Sequence, residues 1–215
     1  MIVDGTSQAE YFVPRFAQPS KATSNAPKLK THFVGAIVHG IGSWLYGMLD
    51  NWKHDSNLTI EVIQRTLQKV ELTGRELPPR LDLQFDNCFR ENKNRYRHCC
   101  SVTFNRTKSS FLFFGRYVLT YLSMLVERAV FQEVYVWFLP KGHTHEDIDA
   151  LFGRVSMHVR ERNALSLEEL GNLMTGAGDG HVLRFEEVNE VCLLRCLSCC
   201  CLFVSTHPIE PLRYL

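Results

Sequence analysis

Hydrophobic and polar residues follow two rhythms along this chain, and the changes of rhythm outline its elements. Leu81, Leu83 and Phe85 alternate with Asp82, Gln84 and Asp86, the two-residue period of a strand with one buried face. Ile60, Ile63, Leu67 and Val70 recur at helical spacing, with Glu61, Arg65, Gln68 and Lys69 on other faces. This predicts a helix over 58–72, capped by Asn57 and ended by Gly74 and Pro78. The helical period returns in Val118, Leu122, Leu125, Val126 and Ala129 over 117–130, and again in Ile148, Leu151, Phe152, Val155 and Val159. Residues 133–139 are almost wholly apolar, as in a central strand covered on both faces. Residues 32–39 are β-rich and bounded by Gly40, and 43–49 either pair with them or form a short helix. Residues 1–5 read as a strand stub, 10–14 as a short strand, and 17–30 as a loop rich in Ala, Pro, Ser, Asn and Lys. Ser166 and Glu169 form a capping box that opens a last short helix.

The resulting order is three strands, helix, strand, helix, strand, helix, which is the element order of an RNase H-like fold. The expected class is therefore α/β: a mixed sheet flanked by helices over residues 1–175, with an irregular insertion at 97–116 and an irregular, Cys-rich tail at 176–215. In that fold, acidic residues stand on the first strand, at the end of the fourth strand and on a following helix. Asp4, Asp86 and Asp149 occupy those three places.

Composition adds bounds rather than detail. The chain has 215 residues, 45% hydrophobic and 22% charged, with a formal net charge of +1. These are ordinary values for a globular domain. The near-zero charge supplies no global pull toward nucleic acid or membrane, so any DNA contact rests on local patches. No signal peptide is visible, and the apolar stretch 191–204 is broken by Arg195 and too short to span a bilayer. The expectation is an intracellular protein with no membrane partner, nuclear if it acts on DNA, and with its eight cysteines mostly as thiols. Five of them lie between Cys192 and Cys201, in no paired zinc-knuckle spacing.

The chemistry concentrates in Gly142-His-Thr-His-Glu-Asp-Ile-Asp149, placed just after the apolar strand 133–139. Carboxylates that hold two hard cations can direct phosphodiester cleavage or strand transfer. Asp4, Asp86 and Asp149 are the candidate catalytic residues and ligands for Mg²⁺ or Mn²⁺. His143, Asn87, Asn92, Lys93 and Asn94 are candidates to orient ligands or contact phosphate. Arg90, Arg95 and Arg154 are candidates to hold a nucleic-acid backbone. Each has a plainer reading: Asp4 as a turn aspartate before Gly5, Asp86 as a solvated strand end, Asp149 and Glu146 as first-turn carboxylates favoured by the helix dipole, and Asp147 as the partner of Thr144 in a cap. One rival is a zinc hydrolase built on His143-Thr-His145-Glu-Asp147, although Ile148 stands where its motif has another histidine. Another is a non-catalytic remnant or nucleic-acid-binding module.

Asp86-Asn-Cys-Phe-Arg-Glu-Asn-Lys-Asn94, Phe138-Leu-Pro-Lys-Gly-His-Thr-His-Glu-Asp-Ile-Asp-Ala-Leu-Phe152 and the N-terminal Asp4-Gly5…Gln8-Ala9…Pro14-Arg15-Phe16 together resemble an uncharacterised, transposase-like domain family of eukaryotic mobile elements. The resemblance covers residues 1–175 and implies a nuclease-fold core derived from a transposase. The chain departs from the pattern after Arg95-Tyr96, where 97–115 precede a second Arg-Tyr at 116–117. The run Ser109-Ser-Phe-Leu-Phe-Phe114 is encodable by pyrimidine-rich codons, so this segment reads as a retained intron or gene-model error.

Overall fold

The computed structural model describes residues 1–6, 11–50, 55–85, 101–105, 108–109, 116–138, 147–178 and 183–189. Its elements are β1 (Ile2–Gly5), β2 (Phe12–Val13), α1 (Lys21–Ser24), β3 (Leu29–Val38), β4 (Gly42–Leu49), α2 (Ser56–Leu72), β5 (Arg80–Phe85), β6 (Ser101–Asn105), β7 (Lys108–Ser109), α3 (Arg116–Glu127), β8 (Glu133–Phe138), α4 (Asp147–Val159), α5 (Leu167–Thr175) and β9 (Leu183–Glu187). The described strands form one mixed sheet in the order β7-β6-β8-β5-β1-β3-β4-β9, with β2 added to β3. β1 runs antiparallel to β3 and parallel to β5, and β5 runs parallel to β8. β3 and β4 form a hairpin whose turn includes Gly40 at φ +77°, a conformation that glycine adopts without steric cost.

Helices lie on both faces of the sheet. On one face, Val3, Val34, Trp44, Leu83, Phe85 and Val136 pack with α2 and α3 in the larger core. On the other, Phe33, Leu45 and Leu183 pack with Leu151, Val155 and Val159 of α4 and Leu170 and Met174 of α5. The stripes that predicted α2, α3 and α4 are the stripes that the sheet buries.

Several expectations need correction. Residues 43–49 are strand, because Ser43 to Leu49 pair residue for residue with Ile37 to Thr31. The N-cap of α2 is Asp55 rather than Asn57, since the Asp55 carboxylate accepts from the backbone N–H groups of Asn57 and Leu58. Ser166 does cap α5 by accepting from Glu169 N at 3.1 Å, but Glu169 accepts from Leu165 N instead of closing the box on Ser166. Within 17–30, Ser20 and Thr23 cap the single turn α1. α3 stops at Glu127, and Ala129 takes φ 59°, which turns the chain out of the helix. β8 is not covered on both faces: Val134 and Val136 enter the larger core, while Trp137 is 43% exposed and Tyr135 is half-buried. α4 and α5 cover β3, β4 and β9, and among the described residues no helix covers β5 and β8 on that side.

Two segments expected to be irregular contain strands. β6 and β7 fall inside 97–116, and β6 pairs antiparallel with β8. β9 falls inside 176–215 and pairs parallel with β4. Glu186 of β9 bonds to α2 through Arg65 at 2.5 Å and through Lys69. Burial pushes the Glu186 carboxyl up, but the hydrogen bonds and charges of Lys69 and Arg65 outweigh it and hold the group below the usual glutamate range. All eight cysteines lie outside the described residues.

A Cβ on Gly35 would stand 2.8 Å from the Phe152 ring and 3.2 Å from Ile148 Cδ1. Gly35→Val should therefore cost about 1–3 kcal/mol in urea unfolding, and Phe152→Leu should restore part of that loss in the double variant. A carboxyl whose folded pKa is lowered stabilises the fold above its unfolded value of about 4.3, and that contribution is lost as pH falls through the folded value. The stability gap between wild type and Glu186→Gln should accordingly be largest near pH 7 and shrink toward pH 3. A gap independent of pH would contradict it.

Candidate metal centre

The candidate centre begins at β1. Val3 points into the larger core and pairs with Phe85 of β5. Alternation along a strand then turns Asp4 to the opposite face, the side of α4. Asp4 pairs with Gly35 of β3, and residues directly opposite in a ladder share a face. Because Gly35 lacks a side chain, Ile148 and Phe152 of α4 lie directly over it. α4 thus packs on β1 and β3, with its first turn at the end of β1 that carries Asp4.

Local bonds hold this end in place. Asp4 Oδ1 accepts from Gly5 N at 2.8 Å. Thr6 donates to the Phe33 carbonyl through its backbone N–H at 2.9 Å and its hydroxyl at 3.2 Å. Asp147 and Asp149 occupy the first turn of α4, where the helix dipole favours negative charge. Asp149 is exposed and stands one turn before Phe152, on the flank of α4 that meets Gly35. Asp147 Oδ2 lies 3.7 Å from His39 Nε2, and both side chains are largely exposed. Such a pair contributes little to stability.

The structure therefore brings together the elements that carry two of the three predicted carboxylates, Asp4 and Asp149. Asp86, the residue after Phe85, lies outside the described residues, as do Asn87, Arg90, Asn92, Lys93, Asn94, Arg95, His143, Thr144, His145 and Glu146. Among the described residues, no group of three or more His, Cys, Asp or Glu side chains is placed to hold a metal ion. Arg154 is on α4, on the flank opposite Asp149. Its Nε is buried and has no hydrogen-bond partner among the described residues.

Sequence reasoning missed two neighbours of this region. His39, in the β3–β4 turn, meets Asp147 only through the tertiary fold. On the open side of β5 and β8, the rings of Tyr135 and Trp137 stack at 6.4 Å, and Arg80 lies 4.0 Å over the Tyr135 ring. Asp82 accepts from Arg80 at 2.7 and 2.9 Å and from Trp137 Nε1 at 3.2 Å. The Arg80 hydrogen bonds hold its carboxyl below the usual range. The two-residue period of 80–84 and 135–137 signalled which residues share that side, but not that it would stay open.

Fold and site define an α/β domain with a mixed sheet flanked by helices, carrying a strand-end carboxylate and a first-turn helix carboxylate on one face. Residues 21–109 and 114–198 match the model of a domain of unknown function, DUF7869, and the chain belongs to this family. Searches of curated proteins and of solved structures gave no match. The matched segments include 101–105 and 108–109, and resume at 114 just before α3. No helix among the described residues is long and apolar enough to cross a membrane.

This geometry separates chemistry from folding. Asp4→Asn retains an oxygen that can accept from Gly5 N, and Asp149 is exposed, so each asparagine variant should stay within about 0.5 kcal/mol of wild type in urea unfolding. Ile148→Ala, which removes a buried contact between α4 and β3, should lose about 2–4 kcal/mol.

Proposed function

We propose that this chain is a transposase-type domain of RNase H-like fold that cuts or joins DNA with Mg²⁺ or Mn²⁺ held by Asp4, Asp86 and Asp149. The observation that carries the reading is the strand order β4-β3-β1-β5-β8, with β3 antiparallel and β5 and β8 parallel to β1. That order and those directions support an RNase H-like reading, and Asp4 and Asp149 are carried by a strand and a helix that pack together. Val3 and Phe85 are partners on adjacent parallel strands. Asp4 follows the first and Asp86 follows the second in the chain. α4 lays its acidic first turn on the same face as Asp4.

The donor chemistry fits hard cations, since carboxylate oxygens suit Mg²⁺ and Mn²⁺ better than thiols or imidazoles would. When bound, such ions activate water or a 3′-hydroxyl and neutralise charge on the phosphate. The chain's own part is to hold carboxylates on a buried strand and a packed helix, so that they are oriented before substrate arrives. Lys93, Arg90, Arg95 and Arg154 would hold the DNA backbone, and Asn87, Asn92, Asn94 and His143 would contact the phosphate. A domain acting on chromosomal or element DNA would work in the nucleus.

Calorimetric titration of Mn²⁺ into the purified chain with a DNA duplex present tests the reading. Asp86→Ala, Asp4→Asn and Asp149→Asn should each weaken binding at least tenfold while unfolding like wild type, and should abolish nicking of plasmid DNA. Absence of Mn²⁺ binding by the folded, DNA-mixed wild type would overturn it, as would equal binding by all three variants.

A further inference from the structure

A cleft of about 610 Å³ runs along the flank of α4 that faces away from Asp149. The end of β3, its turn and the start of β4 form one wall, Asp147, Ala150, Leu151 and Arg154 of α4 form another, and Gly178 and Leu183 close the far side. Its volume falls in the range of small-molecule sites.

The lining has two characters. Ile37, Ile41 and Leu183 supply an apolar surface. Arg154 supplies a permanent positive charge whose Nε is buried and lacks an acceptor among the described residues. A buried N–H donor without an acceptor costs free energy that a bound oxyanion would recover. A guanidinium matches the geometry of phosphate with paired hydrogen bonds. Ser43 and His39 add further polar groups to the same cleft, and the Asp147 carboxylate at its edge faces His39 at 3.7 Å rather than Arg154. Gly40, with open space where a Cβ would stand, leaves the turn side unobstructed.

We propose that this cleft binds a phosphate group carried on a nucleoside body, with Arg154 on the phosphate and Ile37, Ile41 and Leu183 against the nucleoside. The ligand is either a free mononucleotide or the phosphorylated end of a nucleic-acid strand; the recognition chemistry is the same. The site uses none of Asp4, Asp86 and Asp149 and does not depend on a metal; it narrows the Arg154 role proposed above from a DNA-backbone contact to a nucleotide phosphate.

The test is equilibrium binding to the full chain in EDTA, which removes any contribution of the candidate metal centre. The probes are adenosine monophosphate, inorganic phosphate, adenosine and a 5′-phosphorylated oligonucleotide. The monophosphate should bind at least tenfold more tightly than either phosphate or adenosine. Arg154→Gln, which fills similar space, should weaken it at least tenfold with unfolding unchanged, and Arg154→Ala serves as a second variant. The 5′-phosphorylated oligonucleotide binding more tightly than the monophosphate would identify a strand end as the natural ligand, and the reverse a free nucleotide. Equal affinity for phosphate and monophosphate would overturn the role of the apolar wall. No binding, or binding untouched in both Arg154 variants, would overturn the site.

Discussion

The pairing of β1 on both of its edges is the constraint on which the rest of the molecule depends. β1 has four residues, and the backbone of Ile2 to Gly5 is laddered to Ile37 to Val34 on one side while Ile2 and Val3 are laddered to Gln84 and Phe85 on the other. A slip of one residue would exchange the faces of Val3 and Asp4. Val3 is 3% exposed among Phe85, Val34 and the side chains of α2 and α3. Placing an aspartate there instead would bury a charge without compensation, at a cost of several kcal/mol. The apolar demand for Val3 in the core thus fixes where the Asp4 carboxylate points. The carboxylate at this strand end is oriented by packing on the opposite side of the sheet.

Gly35 passes that placement on to α4. A glycine inside a strand loses about 0.5–1 kcal/mol relative to alanine. Here the missing side chain lets Ile148 and Phe152 reach the sheet. Ile148 is 2% exposed, and burial of one such side chain is worth about 1.5–3 kcal/mol, so the exchange is favourable. Close approach at Gly35 also sets the position of the first turn of α4 beside β1. The helix is held in rotation by Leu151, Val155 and Val159, which pack with Phe33 and Leu45.

Much of the fold was legible because its helices are long enough to repeat their period. α2, α3 and α4 each show three or more turns of apolar stripe, and their existence and faces follow from it. The strands that escaped notice are short. β7 has two residues and β6 and β9 have five each, too few to establish a period against the Cys-rich and insertion-like text around them. β9 is recognisable only in three dimensions, where Phe185 fills the space above Gly47 and Gly171 and Glu186 reaches Arg65. β8 misled for a different reason. Tyr135 and Trp137 read as core by hydropathy, but each has an amphipathic ring that tolerates an open face, with the Trp137 N–H bonded to Asp82. Of the candidate site, Asp4 and Asp149 could be placed from strand alternation and helix position. The meeting of His39 with Asp147 and the cleft beside Arg154 depend on how the β3–β4 hairpin and α4 cross, which no local pattern encodes.

α4 carries groups of both proposed sites, Asp149 and Arg154, on different flanks. Asp149 and Arg154 are five residues apart, which at about 100° per residue sets them roughly 140° apart around the axis. The shorter arc between them is exposed, and the apolar stripe of Ile148, Leu151, Val155 and Val159 fills the wider arc, buried against the sheet. Anion-binding and cation-binding groups side by side in water would neutralise each other. Asp149 lies on the flank toward β1, while Arg154 lies on the flank toward the β3–β4 hairpin, where Asp147 sits at the cleft edge and faces His39. A phosphate ester attracts both metal cations and guanidinium groups, so a helix that presents the two on opposite flanks suits a ligand that follows the surface from one side of α4 to the other. The rotation of α4, set by its contacts over Gly35 and Phe33, is then the single geometric quantity that positions both flanks at once.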